Sequence, residues 1–284
     1  MSAALTHARI TRRALVDRSM TLLFSLCALL SASVLLLILS YVTLQGLPAL
    51  NLAFFTERPL PYGEVGGGVA PALLGTLTML GVAGLIGIPI GIATAIYLAE
   101  YGRGRLADLM RFVTDLLAGL PSIVVGVFVW AWLVRQVVGN FSGLAGAVAL
   151  AIIIIPIVTR TVEELIRLVP DSLREAAYAL GTRRWRTILF VVLPTARAGI
   201  VTGTVLALAR AGGETAPLLL TALGNQFFNL DLRQPMAALP LQIYTYALSP
   251  YEDWHSKAWG GALVLIAVIG CFSLLTRLFS ARRN

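Results

Sequence analysis

Charge is what this chain has least of. Only 13% of its 284 residues are Asp, Glu, Lys or Arg, against roughly 25% in a soluble domain. Its 22 basic residues include one lysine, Lys257, and the chain has two histidines and two cysteines. Each shortage excludes something. A phosphate-holding Walker A loop needs Gly, Lys and Ser or Thr in succession, and Lys257 follows Ser256, so ATP hydrolysis by that route is excluded. His7 and His255 stand far apart in the chain, which removes a metal-ligand cluster and Ser-His-Asp chemistry. Cys27 and Cys271 fall inside apolar runs, where a thiol acts as a small hydrophobe, and two cysteines make no disulfide framework. No cofactor is expected, there is no internal repeat, and no polar stretch is large enough to stand as a soluble domain.

Apolar residues are abundant, at 58%, with a mean hydropathy of +0.84. Disordered and collagen-like readings fail on that composition. A helix crosses the hydrocarbon core with about 20 apolar residues. Six stretches approach or meet this with few or no charges, at 20–44, 69–99, 112–134, 144–158, 196–223 and 258–279, the fourth being short. The first is expected to remain as a span, because its apolar run exceeds the h-region of a cleaved signal and no A-x-A-like site follows. The expectation is an all-α membrane protein with six transmembrane helices. Residues 1–19 form a cytoplasmic N-terminal segment, and residues 20–284 form the transmembrane domain with a cytoplasmic loop at 161–195.

Orientation follows from the basic residues, which crowd one side. On that side lie Arg9, Arg12, Arg13 and Arg18; Arg103, Arg105 and Arg111; six arginines from Arg167 to Arg197; and Arg277, Arg282 and Arg283. Opposite them lie only Arg58, Arg135, Arg233 and Lys257. Both termini are therefore expected in the cytoplasm. Positive charge placed at span ends explains the net +8 as topology, which argues against a nucleic-acid partner. Trp130, Trp132, Trp254 and Trp259 suit an aromatic belt at the outer interface. Gly87 with Gly91, and Gly199 with Gly203, are small-xxx-small pairs that let helices approach closely.

The inner loop is longer than a hairpin needs. Ser172, Leu173, Arg174, Glu175 reads as a capping box, opening a short helix that Gly181 ends. Ala176 and Ala177 give that helix a low profile on which another protein surface could dock. Within the fifth span, Arg210 and Glu214 stand four apart, which on a helix puts them on one face. An arginine at a span's centre costs about 2.5–3.5 kcal/mol on insertion scales, so Arg210 reads as a pathway residue. Arg160, at the end of the fourth span, also suits a snorkelling role. Guanidinium groups offer paired donors to tetrahedral oxyanions and stay protonated when buried. Asp108, Arg111 and Asp115 share a face near the third span's inner end and read as a surface salt-bridge network off the substrate path.

Two sets of residues carry a resemblance. Glu175-Ala176-Ala177, Gly181, Val191, Leu193 and Pro194 are similar to the EAA loop of bacterial ABC importer permeases, with valine in place of the usual isoleucine. Arg210 to Pro217, Leu117 to Val124 and Gly87 to Tyr101 resemble the permeases of phosphate-specific importers, the A type above all, from about Gly75 onward. The resemblance implies a type I, MetI-like permease fold in the bacterial inner membrane. It implies as partners a C-type permease subunit, an ATP-binding subunit dimer and an external phosphate-binding protein. It assigns Glu175, Ala176, Ala177, Gly181, Leu193 and Pro194 to ATPase coupling, and Arg160, Arg210 and Glu214 to phosphate passage. Sulfate or molybdate permeases would suit the same arginines, and an ATP-independent anion channel is the rival from another class. An intramembrane enzyme lacks a convergent His, Cys or paired-Asp constellation.

Overall fold

The computed structural model describes residues 2–61, 63–64 and 66–281. Among them no strand forms, and one isolated bridge joins Leu223 to Met236. The helices are α1 (Ser2–Gly46), α2 (Leu52–Thr56), α3 (Ala70–Ile96), α4 (Arg105–Gly119), α5 (Ser122–Val129), α6 (Gly143–Arg167) and α7 (Asp171–Ala179). Then follow α8 (Arg184–Thr187), α9 (Leu193–Gly212), α10 (Ala216–Thr221), α11 (Leu239–Ala247) and α12 (Glu252–Ala281). Wider π turns extend α3 through Tyr97–Tyr101 and α5 through Trp130–Val138, and a third, Ile188–Val192, fuses α8 to α9. The expected all-α class holds. Arg282 and Arg283, counted in the charge asymmetry, lie outside the described residues.

α6 is the centre of the bundle. Ser142 caps it by accepting from the Ala145 amide at 3.2 Å, an arrangement that satisfies a donor the first turn leaves free. Two-thirds of its apolar window is buried, while the window of α1 is 0% buried. Ile154 and Val158 of α6 meet the Gly87 and Gly91 face of α3, where a β-carbon at Gly91 would stand 2.8 Å from that of Val158. Gly199 and Gly203 of α9 similarly abut Leu165 and Thr161. Both expected glycine pairs are therefore helix–helix contacts, the close approach such residues permit. A second cluster gathers Phe54, Leu239, Tyr246 and Val264 around α11 and α12. α1 rests on this part through Tyr41, whose ring meets Trp259 edge-on at 5.3 Å.

Among the described residues, five helices are long and apolar enough to cross a membrane. The expected third span, 112–134, is corrected: the chain breaks at Leu120 and Pro121, and the segments on either side meet at 102°. Leu120 is extended at φ −69°, ψ 136°, because a residue before proline is driven out of the helical region. Only if this bent pair counts as one span are there six. The expected fifth span, 196–223, is also shifted. Its helix begins at Arg184 and ends at Gly212, and 216–221 form the separate α10, packed on α5 and α6. Pro194 lacks an N–H and its ring crowds the carbonyl four residues back. The preceding π turn relieves this, with the Leu193 amide reaching five residues back to Ile188. α6 extends to Arg167, so the free connection is 168–183 and not the whole of 161–195.

Candidate functional site

Three places gather the charged side chains singled out in the sequence. The first is a cavity of about 170 Å³ between the Leu120–Pro121 elbow, α6 and the end of α9. Its wall includes Ser122, Ile153, Ile157, Arg210 and Glu214. Arg210 sits in the last turn of α9, where the helix's negative end favours a cation. The helix ends at Gly212, and Glu214 lies beyond it, its amide turning back to the Ala211 carbonyl at 3.2 Å. The expected pairing of Arg210 with Glu214 on one helical face is thus overturned: the Gly212–Gly213 break puts them on different elements facing one cavity. Among the described residues neither side chain has a hydrogen-bond or ion-pair partner. The guanidinium's donors and the carboxylate's oxygens are both left for something else.

The second place lies one turn further along α6. Ile153, Ile157 and Arg160 follow at spacings of four and three and so share a face. Arg160 is ion-paired through Nη1 to Oδ1 of Asp115 on α4, with Glu164 at 3.7 Å from its Nε. The expected Asp108–Arg111–Asp115 network therefore forms only in part. Arg111 reaches Asp108 at 3.5 Å but bonds better to Glu163, at 3.0 Å, and to the Leu98 carbonyl, at 2.9 Å. Asp115 pairs with Arg160 instead, and the two line a separate cavity with Arg111, Thr114, Glu163 and Glu164.

The third place is the short helix α7. It begins at Asp171 after Pro170, and no side chain caps it, so the expected Ser172–Glu175 box does not form. The Leu173 amide instead reaches the Pro170 carbonyl at 3.2 Å, and Asp171 supplies a negative charge in the first turn. Its end is as expected. Gly181 takes φ +76°, its amide bonds to Tyr178 and that of Thr182 to Ala177, the paired bonds of a Schellman closure. Ala177 is buried, whereas Glu175, Ala176 and Gly181 are exposed. Leu193 is half-buried and Pro194 exposed at the start of α9.

One joint was missed in the sequence. Arg174 of α7 holds Glu100, at the end of the α3 π turn, through Nε at 3.2 Å and Nη2 at 2.9 Å. It also donates to the Ile166 and Val169 carbonyls. The two side chains are 14% and 5% exposed, so α7 is tied to two long helices by a largely buried pair. A carboxylate closing an apolar run, as in Ala99-Glu100-Tyr101, was the available signal.

Comparison with known proteins places this arrangement. The family of binding-protein-dependent transport system inner membrane components matches residues 87–284. The phosphate transport system permease protein PstA of Yersinia pestis is 46% identical over 274 residues, 96% of this chain and 90% of that protein. The PstA protein of Haemophilus influenzae is 47% identical over 237 residues, 83% of each chain. Among solved structures, an inward-facing MetNI methionine ABC transporter superposes with a TM-score of 0.61 at 20% identity, covering 76% of this chain and 94% of that one. A bacterial ABC transporter that imports alginate gives 0.54 at 16% identity, covering 90% and 96%. With a long central helix, a broken neighbour and a short helix closed at Gly181 in place, and a family match over more than half its length, the chain belongs to the binding-protein-dependent transport system inner membrane components.

Proposed function

We propose that this chain is the A-type permease subunit of an ATP-driven importer that carries inorganic phosphate inward across the bacterial inner membrane. It is a transport subunit, and ATP is hydrolysed on a separate subunit. Its partners in this reading are a C-type permease, two ATP-binding subunits and an external phosphate-binding protein. Both termini face the cytoplasm, as the arginine distribution supports. The observation that carries the reading is Arg210: a guanidinium without a hydrogen-bond or ion-pair partner among the described residues, facing a cavity at a helix break, near the elbow of a neighbouring helix. Such a group offers paired donors to a tetrahedral oxyanion, and relatives at 46% and 47% identity are named as phosphate permeases.

The geometry suggests how force passes. Closure of the ATP-binding subunits moves α7, whose exposed Glu175–Ala176 edge is the docking surface and whose Gly181 fixes its end. Arg174 conveys that movement to Glu100 and so to α3, while Arg111 links α3 and α6 to α4. α4 then swings about the Leu120–Pro121 elbow, opening the Arg210 cavity toward Arg160, which holds Asp115 until an anion arrives. Leu193 and Pro194 let the next helix follow the loop. The cavity faces a second permease in this reading, so Arg210 contributes half of the passage.

The test is uptake by the reconstituted assembly. Arg210→Leu is expected to abolish phosphate uptake while the complex still co-purifies. Normal uptake in that variant overturns the reading. Excess sulfate is expected to leave labelled phosphate uptake unchanged, and uptake is expected to cease without ATP; downhill flux without nucleotide would identify a channel.

A further inference from the structure

A second, larger cavity lies away from the proposed passage. It measures about 530 Å³ and opens between the end of α3, the turn that follows it, the end of α6, α7 and the start of α8. Arg103, Arg167, Arg174 and Arg184 face it against two carboxylates, Glu100 and Asp171. The carboxylates are already engaged. Arg174 takes both, Glu100 through two donors and Asp171 at 3.1 Å, and gives its remaining reach to backbone carbonyls. Positive charge is therefore left over on Arg103 and Arg184, while Arg167 is paired with Glu163 outside the cavity.

Those three are differently constrained. Arg184 spends one N–H on the Glu100 carbonyl and lies over the Tyr101 ring, 4.7 Å from its centre. Arg167 gives one N–H to Glu163 at 2.6 Å, outside the cavity wall. Arg103 has no hydrogen-bond or ion-pair partner among the described residues. It is carried on a turn closed by Gly104 at φ +80°, a conformation that favours glycine. Guanidiniums from three different segments thus converge on one space, with donors unspent on Arg103, Arg167 and Arg184, and the four arginines of the wall outnumber its two carboxylates. The chemistry that fits is an oxyanion accepting several charge-assisted hydrogen bonds at once.

We propose that this cavity binds a phosphate group, either free inorganic phosphate or the phosphate of an anionic lipid headgroup. The bound group bridges Arg103, Arg184 and Arg167, and so fastens the root of α7 to α3 and α6. Occupancy then sets how freely α7 moves, which makes the site regulatory. That consequence rests on reading α7 as the coupling helix, whereas the binding does not.

The experiment uses the assembled complex without its external binding protein, in nanodiscs, with Arg210→Leu in every sample so that the proposed passage adds no phosphate binding. One arm measures equilibrium binding of labelled inorganic phosphate in phosphatidylcholine discs. The other quantifies phosphatidylglycerol that stays with the complex through delipidation, by mass spectrometry. Each is compared with R103Q and with R103Q/R184Q. Loss of a charge-assisted bond costs about tenfold or more in affinity, so the double variant is expected to lose at least about tenfold in one arm. Phosphate binding that falls with the double variant identifies the free ion, and lipid retention that falls identifies the headgroup. Neither quantity changing in either variant overturns the proposal. R103Q keeps the test decisive should the double variant fail to assemble, since Arg103 has no bonded partner to lose. Because nothing is transported in this assay, its outcome is independent of whether the importer carries phosphate.

Discussion

Arg174 and Glu100, separated by 74 residues of chain, share two hydrogen bonds at one carboxylate oxygen. Breaking a largely buried pair by removing one partner costs about 3–5 kcal/mol, because the remaining charge is stranded. Arg174→Met is expected to lower the melting temperature of the complex in detergent and to uncouple ATP hydrolysis from uptake. Glu100→Gln/Arg174→Met is expected to recover most of the stability but not the coupling. A double variant that transports normally would show that the pair is only structural.

Arg210 and Glu214 face one cavity without touching, which separates their roles. If they formed an ion pair, neutralising both would be milder than neutralising one. The structure predicts the opposite: R210L and R210L/E214Q are expected to be equally inactive in uptake, with assembly intact. Recovery of uptake in the double variant would restore the paired arrangement.

Asp115 and Arg160 are 51% and 55% exposed, so their bond adds at most about 1 kcal/mol to stability. Asp115→Asn is therefore expected to leave the melting temperature nearly unchanged. Uptake velocity should nevertheless shift severalfold, because Arg160 then holds a passing anion with no competing carboxylate on α4. An unaltered velocity takes Arg160 off the path.

Packing around α3 yields a sharper contrast. A methyl group at Gly75 would collide with the Ala237 carbonyl, whereas at Gly81 it would meet nothing within 4 Å. Overpacking costs about 1–3 kcal/mol, so Gly75→Ala is expected to reduce the yield and melting temperature of the folded complex. Gly81→Ala should match the parent protein, and equal behaviour of the two would contradict this packing.

Much of this was legible in the residues, and the reasons are particular. Apolar runs marked the long helices because hydrocarbon burial needs length and little else. Glycine spacing marked the α3–α6 and α6–α9 contacts, since only small residues admit such an approach. Gly181 marked the end of α7 through its required backbone angle. What failed was continuity. Pro121 lay inside a single mostly apolar stretch, and hydropathy carries no information on bending. Gly212–Gly213 broke a helix that its composition allowed, which cancelled a pairing inferred from spacing alone. Ser172 and Glu175 had the right offset for a cap, but Pro170 started the helix first. The partners of Arg160 and Arg174 stand 45 and 74 residues away, and no local pattern encodes contacts at that range.

The tight seat of Gly91 against Val158 leaves α3 and α6 no clearance to slip past each other. The two form a keel, stiff along its length, and the 102° elbow at Leu120–Pro121 is where the neighbouring arm turns away from its continuation. In the proposed transport cycle one prolyl residue would then serve as the axle on which α4 turns against that keel.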